Sequence, residues 1–166
     1  MRLFIAINLN KKMKESLMGM QEELYARGLR GNMTKPENMH LTLAFIGEYD
    51  DPEDILEIIE GISFRPFTLR IEGKGAFGDL WWAGLEKSEE LQALVKKLRH
   101  RLADAGIPFD RKKFTPHITL IRRAKQVGSP SPRSRAAVKP AEMTVDHISL
   151  MRSDRGKSGM IYTELF

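Results

Sequence analysis

The residues that decide the fold are Asn38–Gly47, with the sequence NMHLTLAFIG, and Phe114–Arg122, with the sequence FTPHITLIR. Both contain the pattern His-x-Thr-Leu, at His40–Leu43 and, 77 residues further on, at His117–Leu120. The alternation of polar and aliphatic residues predicts a strand at each place, with the histidine and threonine on one face about 6.6–6.8 Å apart. The aliphatic residues on the other face are expected to anchor each strand in a core, so the two polar faces are expected to line a cleft.

Similar elements surround the two motifs. Apolar spacing after a capping residue predicts a first helix after Asn10 that ends near Gly28 and a third after Ser88 that ends at Gly106. Between them, Asp51 is a predicted cap and Pro52 the first helical position of a second helix that continues over Glu53–Gly61. Runs of β-branched and aromatic residues predict strands, and glycine or proline clusters predict the loops between them. The predicted strands are Met1–Leu9, His40–Gly47, Phe67–Gly73, Leu80–Glu86, Phe114–Ile121, Met143–Met151 and Met160–Phe166, with a turn at Gly73–Gly78 and loops at Gly31–Met39 and Gly128–Pro140.

The order strand–helix–strand thus occurs twice, roughly in residues 1–66 and 67–166. No linker in residues 1–124 is long enough to separate two independent domains. We therefore expect a single bilobal α+β domain with an internal duplication. Its two pseudo-twofold-related lobes are each expected to be a mainly antiparallel sheet with helices on the outside, and the central cleft lies between them.

The composition limits the class of protein. The chain has 166 residues, of which 42% are hydrophobic and 30% charged, which is enough apolar material for the core of one domain. No apolar run approaches the roughly 20 residues that cross a bilayer, and the first nine residues lack the pattern of a secretory signal. The absence of cysteine excludes disulfides, thiolate metal sites and cysteine nucleophiles. We expect a soluble cytoplasmic protein that does not bind membranes.

The positive charge is concentrated in one segment. Residues 111–139 contain nine Lys or Arg and no Asp or Glu, whereas the rest of the chain carries 18 basic and 22 acidic residues. Such a concentration favours an anionic partner, phosphate or nucleic acid, because it steers anions and releases their counterions. A basic loop that only increases solubility is the alternative interpretation.

Two imidazoles on opposite walls of a cleft suit the opening of a strained cyclic phosphodiester by water. This reaction needs a base for the proton of the water and an acid for the leaving oxygen, and imidazole serves as either near neutral pH. Thr42 and Thr119 can donate their hydroxyls to phosphoryl oxygens, and Arg122, five residues beyond His117, can stabilise the developing charge. The arrangement requires no metal, and no carboxylate follows either motif at the spacing of a zinc site.

The chain resembles the 2H phosphoesterases, and within them the bacterial and archaeal RNA 2′,3′-cyclic phosphodiesterases, also called 2′-5′ RNA ligase-like proteins. The resemblance rests on Arg2–Ile7, the two motif segments quoted above and Ser149–Ser153, and it extends over essentially the whole chain. It implies a bilobal fold with both motifs in a central cleft. It also implies hydrolysis of RNA 2′,3′-cyclic phosphate ends to 2′-phosphomonoesters without a metal or other cofactor, with His40 as proton donor and His117 as proton acceptor.

Several residues allow a second, purely structural interpretation. Threonine is a good strand former whether or not it contacts phosphate, and Arg122 could be an ordinary surface charge. Phe4 or Phe45 could stack on a base at the cleft, as aromatic residues do with unpaired nucleotides, or could pack in the core. His147 could line the cleft, whereas His100, between two arginines on the polar side of its helix, is expected in solvent. Trp81 and Trp82 are expected on opposite faces of a strand.

Other functions also remain open at this point. The same two histidines could run 2′-5′ ligation of RNA, since ligation reverses the ring opening with a ribose hydroxyl in place of water. Another cyclic or 2′-5′-linked nucleotide could be the substrate. The chain could also bind RNA ends without catalysis through its basic segment. In each case the expected partner is RNA or an oligonucleotide, and we expect a monomer with no obligate protein partner.

Overall fold

The computed structural model describes residues 1–128 and 139–166, which form nine strands, three α-helices and one 3₁₀ helix, η1. The strands are β1 (Arg2–Asn8), β2 (Leu29–Met33), β3 (His40–Glu48), β4 (Phe67–Phe77), β5 (Leu80–Leu85), β6 (Ile118–Gln126), β7 (Glu142–Val145), β8 (Ser149–Gly156) and β9 (Gly159–Glu164). The helices are α1 (Lys11–Ala26), η1 (Pro36–Asn38), α2 (Pro52–Glu60) and α3 (Glu89–Asp104). None of the helices in the described ranges has the length and apolar character needed to span a bilayer.

The strands form two antiparallel sheets, and each sheet carries one His-x-Thr-Leu motif. The first sheet has the order β3-β1-β8-β9 and contains His40, and the second has the order β2-β6-β5-β4-β7 with His117 just before β6. In each sheet the motif strand pairs with a strand from which a long helix separates it in the chain. β3 pairs with β1, with α1 between them in sequence, and β6 pairs with β5, with α3 between them in sequence. This two-sheet arrangement confirms the predicted α+β architecture of two lobes.

Both sheets take strands and helices from both halves of the chain. β8 and β9 return to the first sheet, whereas β2 joins the second. Helix α1 follows β1 of the first sheet but packs against β2, β6 and β7, and α3 follows β5 of the second sheet but packs against β3. A single core cluster joins buried residues of both sheets, including Ile5 and Leu120. A division near residue 66 therefore does not separate the two sheets, and the duplication itself stays a prediction.

The helices begin at the residues that the sequence indicates. The Asn10 side chain accepts a hydrogen bond from the Met13 amide at 2.9 Å, and the Ser88 hydroxyl accepts one from the Leu91 amide at 3.1 Å. Both bonds satisfy a donor that has no partner within the helix. Helix α2 begins at Pro52, as predicted, directly after its cap Asp51, whose side chain accepts a hydrogen bond from the Glu53 amide at 3.0 Å.

Some of the predicted strand and loop boundaries are wrong. The loop predicted for Gly31–Met39 includes the end of β2, which pairs with β6 about 90 residues later, and no local pattern reveals such a partner. The glycine-rich turn predicted for Gly73–Gly78 is mostly strand, because Gly75 pairs with Trp82 and β4 continues to Phe77. The strand predicted to begin at Phe114 begins at Ile118.

The strand predicted for Met143–Met151 is two strands in different sheets. β7 pairs with β4, residues 146–148 form a connection, and β8 pairs with β1 in the other sheet. Of the predicted loop Gly128–Pro140, residues 129–138 lie outside the described residues, and with them Arg133 and Arg135 of the basic segment.

Candidate active site

His40 is the first residue of β3 and is held at both ring nitrogens. Its Nδ1 lies 2.7 Å from the Asn38 carbonyl oxygen, and its Nε2 lies 2.9 Å from Thr42 Oγ1. Because a carbonyl oxygen only accepts, Nδ1 carries a proton. When the ring is neutral, Nε2 therefore accepts the Thr42 hydroxyl. The predicted side-by-side placement of histidine and threonine is confirmed, and in the free protein the threonine hydroxyl points at the imidazole.

Aromatic side chains enclose the His40 ring. The Phe4 ring centroid lies 4.9 Å from that of His40, and Tyr162 makes an edge contact at 5.2 Å. Phe4 is only 3% exposed and belongs to a small apolar cluster with Ala6 and Met151 on the cleft side of the first sheet. This burial leaves little surface for a base to stack on Phe4, so the ring packs against the histidine, as the core alternative predicts.

His117 has a matching backbone contact and a more open ring. Its Nδ1 lies 2.7 Å from the Thr115 carbonyl oxygen, so Nδ1 again carries a proton and Nε2 is the nitrogen left for chemistry. Within residues 1–128 and 139–166, no side chain forms a hydrogen bond with this Nε2. The two histidines thus share one tautomer, but among the described residues only His40 has a side-chain partner at Nε2.

Two aromatic residues that sequence reasoning did not assign to the site lie beside His117. Phe77 makes an edge contact with its ring at 5.3 Å, and the Trp82 centroid lies 6.4 Å away. A Cβ at Gly75 would lie 2.4 Å from the Trp82 ring, so glycine at 75 is what lets the indole lie over β4. The available signal is the Gly-Lys-Gly-Ala-Phe-Gly run, whose local pattern predicts a turn instead.

Both histidines line one cavity of about 660 Å³ between the two sheets. Thr42, Thr119 and Arg122 share its wall with them. The remaining lining comes from Gly31–Lys35, Asn38, Ser158–Met160 and Tyr162. A second cavity of about 570 Å³ meets the first at His40, Thr42 and Arg122 and extends along the first sheet past Phe4 and Phe45. The expected convergence of the two polar strand faces on one cleft is confirmed.

A bulge follows the threonine of each motif. Ala6 pairs with Thr42 and Ile5 with Ala44, so Leu43 is an extra residue of β3. In the second sheet Trp82 pairs with Thr119 and Trp81 with Ile121, so Leu120 is an extra residue of β6. One extra residue reverses the alternation of side chains that follows it. Residues five positions after each histidine, Phe45 and Arg122, therefore return to the cleft face, where regular alternation would turn them away.

Each bulge receives a hydrogen bond from a helix that follows a strand of the other sheet in the chain. The Arg99 guanidinium of α3 donates to the Leu43 carbonyl oxygen at 3.2 and 3.3 Å. Gln21 Nε2 of α1 donates to the Leu120 carbonyl oxygen at 3.0 Å and to that of Thr34 at 2.9 Å. The Leu120 carbonyl oxygen also accepts the Thr34 amide at 2.9 Å, so Gln21 is its second donor, and both contacts add hydrogen bonds to the backbone at a bulge. Sequence reasoning missed both residues, because each is an ordinary polar residue on a predicted helix.

The electrostatics of the site distinguish the two histidines. Burial lowers the pKa of His40 below its ordinary value of 6.5, and the positive charges of Arg122 and His117 lower it further. The hydrogen bond to the Asn38 carbonyl opposes this shift. His40 is therefore neutral at pH 7 in the free protein. Arg122 is exposed, and none of its described neighbours forms an ion pair with it, so its charge acts on the cleft.

The other histidines lie elsewhere. His147 follows β7 and lies 2.7 Å from its neighbour Asp146, with 72% of the side chain exposed, and His100 is exposed on α3 beside Asp104. Neither lines the two cavities at the motifs. In the ranges 1–128 and 139–166, no three His, Asp or Glu side chains are grouped as a metal site requires.

A two-sheet fold with one His-x-Thr motif on each side of a shared cleft defines the class of 2H phosphoesterases, and comparison with known proteins agrees. Residues 24–157 match the family model of the 2′-5′ RNA ligase superfamily. A Thermotoga maritima protein named RNA 2′,3′-cyclic phosphodiesterase is 34% identical over 100% of this chain and 94% of its own length. A protein of the same name from Archaeoglobus fulgidus is 30% identical over 99% and 98%. The chain belongs to the 2′-5′ RNA ligase superfamily.

Solved structures have the same fold. A crystal structure of a Thermus thermophilus protein superposes with a TM-score of 0.78 at 32% identity and covers 100% of this chain and 96% of that one. Escherichia coli LigT in complex with 3′-AMP gives a TM-score of 0.79 at 26% identity, over 99% and 94%.

Proposed function

We propose that this protein hydrolyses 2′,3′-cyclic phosphate ends of RNA to 2′-phosphomonoesters, as a monomeric, metal-independent enzyme of the cytoplasm. The observation that carries the proposal is the shared cavity, in which both histidines present Nε2 from opposite sheets. The names of the full-length relatives identify the same reaction.

In this mechanism water attacks the phosphorus and the bond from phosphorus to the ribose 3′ oxygen breaks. His117 Nε2, which has no described side-chain partner, takes the proton of the water. His40 Nε2 gives a proton to the departing 3′ oxygen, and the phosphate stays on the 2′ oxygen. The two imidazoles then exchange protonation states, and solvent restores the starting state.

This division of roles requires that substrate binding changes the charge of His40. Burial favours the neutral ring in the free protein by lowering its pKa, whereas a bound phosphodiester anion favours the cation. The anion also offers the Thr42 hydroxyl an oxygen acceptor in place of the imidazole. Arg122 and the Thr119 hydroxyl, on the opposite wall, are proposed to hold the non-bridging oxygens.

The test is product analysis on an RNA trinucleotide with a 2′,3′-cyclic phosphate end, using His40→Ala, His117→Ala and the double variant. Each single change is expected to lower the turnover rate by about 10²–10⁴ while the variant stays folded, and the product of the unchanged protein should carry phosphate on the 2′ oxygen. His100→Ala, an exposed histidine on α3, is the matched control. Full turnover by the double variant would contradict the proposal.

Two further measurements distinguish this reaction from the alternatives. Activity is expected to persist in EDTA, and loss of activity with recovery on adding a divalent metal would contradict the metal-independent mechanism. An RNA strand with a free 5′-hydroxyl tests ligation, which would give a 2′-5′-linked product. Binding of RNA ends with no turnover of any cyclic phosphate would identify a binding protein instead.

A further inference from the structure

A second bulge in β6 lies just beyond Arg122. Asn32 of β2 pairs with Arg122, but Arg30, two residues earlier, pairs with Lys125, three residues later, so β6 again contains one extra residue. Arg123 within this bulge has a φ of 53°, in the left-handed region that non-glycine residues rarely adopt. Gly31 lies opposite, where a Cβ would be 2.7 Å from the Arg122 carbonyl oxygen.

The bulge decides which way Lys125 points. In a regular strand, residues three apart lie on opposite faces. The extra residue brings Lys125 to the face of its partner Arg30, which is also the face of Asn32 and Arg122. Ala124 packs against the core on the other face, as this reversal requires. Thr119, Arg122 and Lys125 therefore follow one another along the cleft face of β6, at intervals of three residues.

The outer end of this row is basic and aromatic. Lys125 is exposed, and no described carboxylate lies within 4.0 Å of its Nζ or of the Arg30 guanidinium. The Arg30 guanidinium lies over the Tyr25 ring at 3.4 Å from its centroid, and Tyr25 is 52% exposed. A cation next to an open aromatic surface is the combination that binds single-stranded nucleic acid, through phosphate and base stacking respectively.

We propose that Lys125, with the Arg30–Tyr25 pair, binds the internucleotide phosphate that precedes the terminal nucleotide, so that the enzyme prefers oligonucleotide ends to mononucleotides. The inference rests on the proposed function for the position of the terminal phosphate at Arg122. The bulge places Lys125 one strand repeat beyond Arg122, about 6.6–6.8 Å along the sheet, a separation comparable to that of consecutive phosphates in an extended strand.

The experiment compares the unchanged protein with Lys125→Ala, Lys125→Arg and the control Lys96→Ala, which removes an exposed lysine from α3. The substrates are a nucleoside 2′,3′-cyclic phosphate and a trinucleotide with the same end. Lys125→Ala is expected to lower kcat/KM for the trinucleotide roughly three- to tenfold more than for the mononucleotide. Lys125→Arg should restore most of the preference, and Lys96→Ala should match the unchanged protein.

Salt gives an independent readout. One phosphate contact to a single strand contributes about 0.7 to the slope of log affinity against log salt. Between 50 and 200 mM salt, the affinity of Lys125→Ala for the trinucleotide should therefore fall about 2.6-fold less than the affinity of the unchanged protein does. Binding of a trinucleotide with a 2′-phosphate end measures this without turnover, so failure of the catalytic proposal would not hide the result. Equal effects of Lys125→Ala on mononucleotide and trinucleotide, or an unchanged salt slope, would overturn the inference.

Discussion

Replacement of Gly31 by alanine is predicted to impair catalysis more than folding. The added Cβ would lie 2.7 Å from the Arg122 carbonyl oxygen and 2.9 Å from that of Arg123, whereas ordinary contacts begin at 3.4 Å. The backbones of β2 and β6 must therefore separate by about 0.7 Å at the point from which Arg122 reaches the cleft. A shift approaching 1 Å at a catalytic group costs up to about 10²-fold in rate, so we expect kcat/KM to fall roughly tenfold.

The stability cost is expected to be small by comparison. Overpacking of this kind costs about 1–3 kcal/mol, which urea unfolding would measure beside kinetics on a cyclic-phosphate RNA end. Gly19→Ala in α1 is the matched control, because nothing lies within 4 Å of the added Cβ and alanine is the better helix former. A Gly31→Ala protein that has lost this stability but retains full kcat/KM would refute the reasoning that Gly31 positions Arg122.

Three further predictions follow from contacts at the site and at one helix. Gln21→Leu removes the side chain that donates to the Leu120 carbonyl at the bulge, which leaves that buried carbonyl with one partner fewer. We expect the free energy of unfolding, measured in urea, to fall by about 1–3 kcal/mol and kcat to fall as well. An unchanged kcat would contradict the positioning role. Ser88→Ala deletes the cap of α3 and should cost about 1 kcal/mol with no change in kcat/KM, so an activity loss at full stability would be inconsistent with a capping role. The pKa of His40, followed by NMR titration, should lie below its ordinary value of 6.5 because the ring is buried, so the neutral form should predominate at pH 7; the pKa should rise when inorganic phosphate is added, and a value above 6.5 in the free protein would contradict the assignment.

The local sequence pattern was sufficient to predict the two long helices, α1 and α3, and the strand positions of the two motifs. The apolar stripes of α1 and α3 lie within 16 residues each, and the residue just before each helix is its cap, so the local sequence determines where both helices begin and end. The two His-x-Thr-Leu segments likewise carry their alternation within a few residues. For this reason the sequence alone predicts that His40 and His117 lie in one cleft, as the structure shows.

The remaining features depend on partners that are distant in the chain. β2 becomes a strand because β6 pairs with it, and the bulges at Leu43 and Leu120 exist only relative to the register of β1 and β5. Regular alternation therefore misplaces the residues that directly follow these bulges, including Phe45 and Arg122. The positions of Phe77 and Trp82 beside His117 likewise follow from the pairing of β4 with β5, across a run whose local pattern predicts a turn.

The exchange of helices between the sheets has a mechanical consequence. Helix α1 follows a strand of the first sheet and covers the second sheet, and α3 follows a strand of the second sheet and covers the first. The two walls of the cleft therefore cannot move apart on a hinge without exposing the apolar surface beneath both helices. The spacing of the two imidazoles is therefore set by the same packed interior that keeps the protein folded. Substrates must enter and products must leave past side chains at the rim of the cleft, while the distance between the His40 and His117 rings stays fixed.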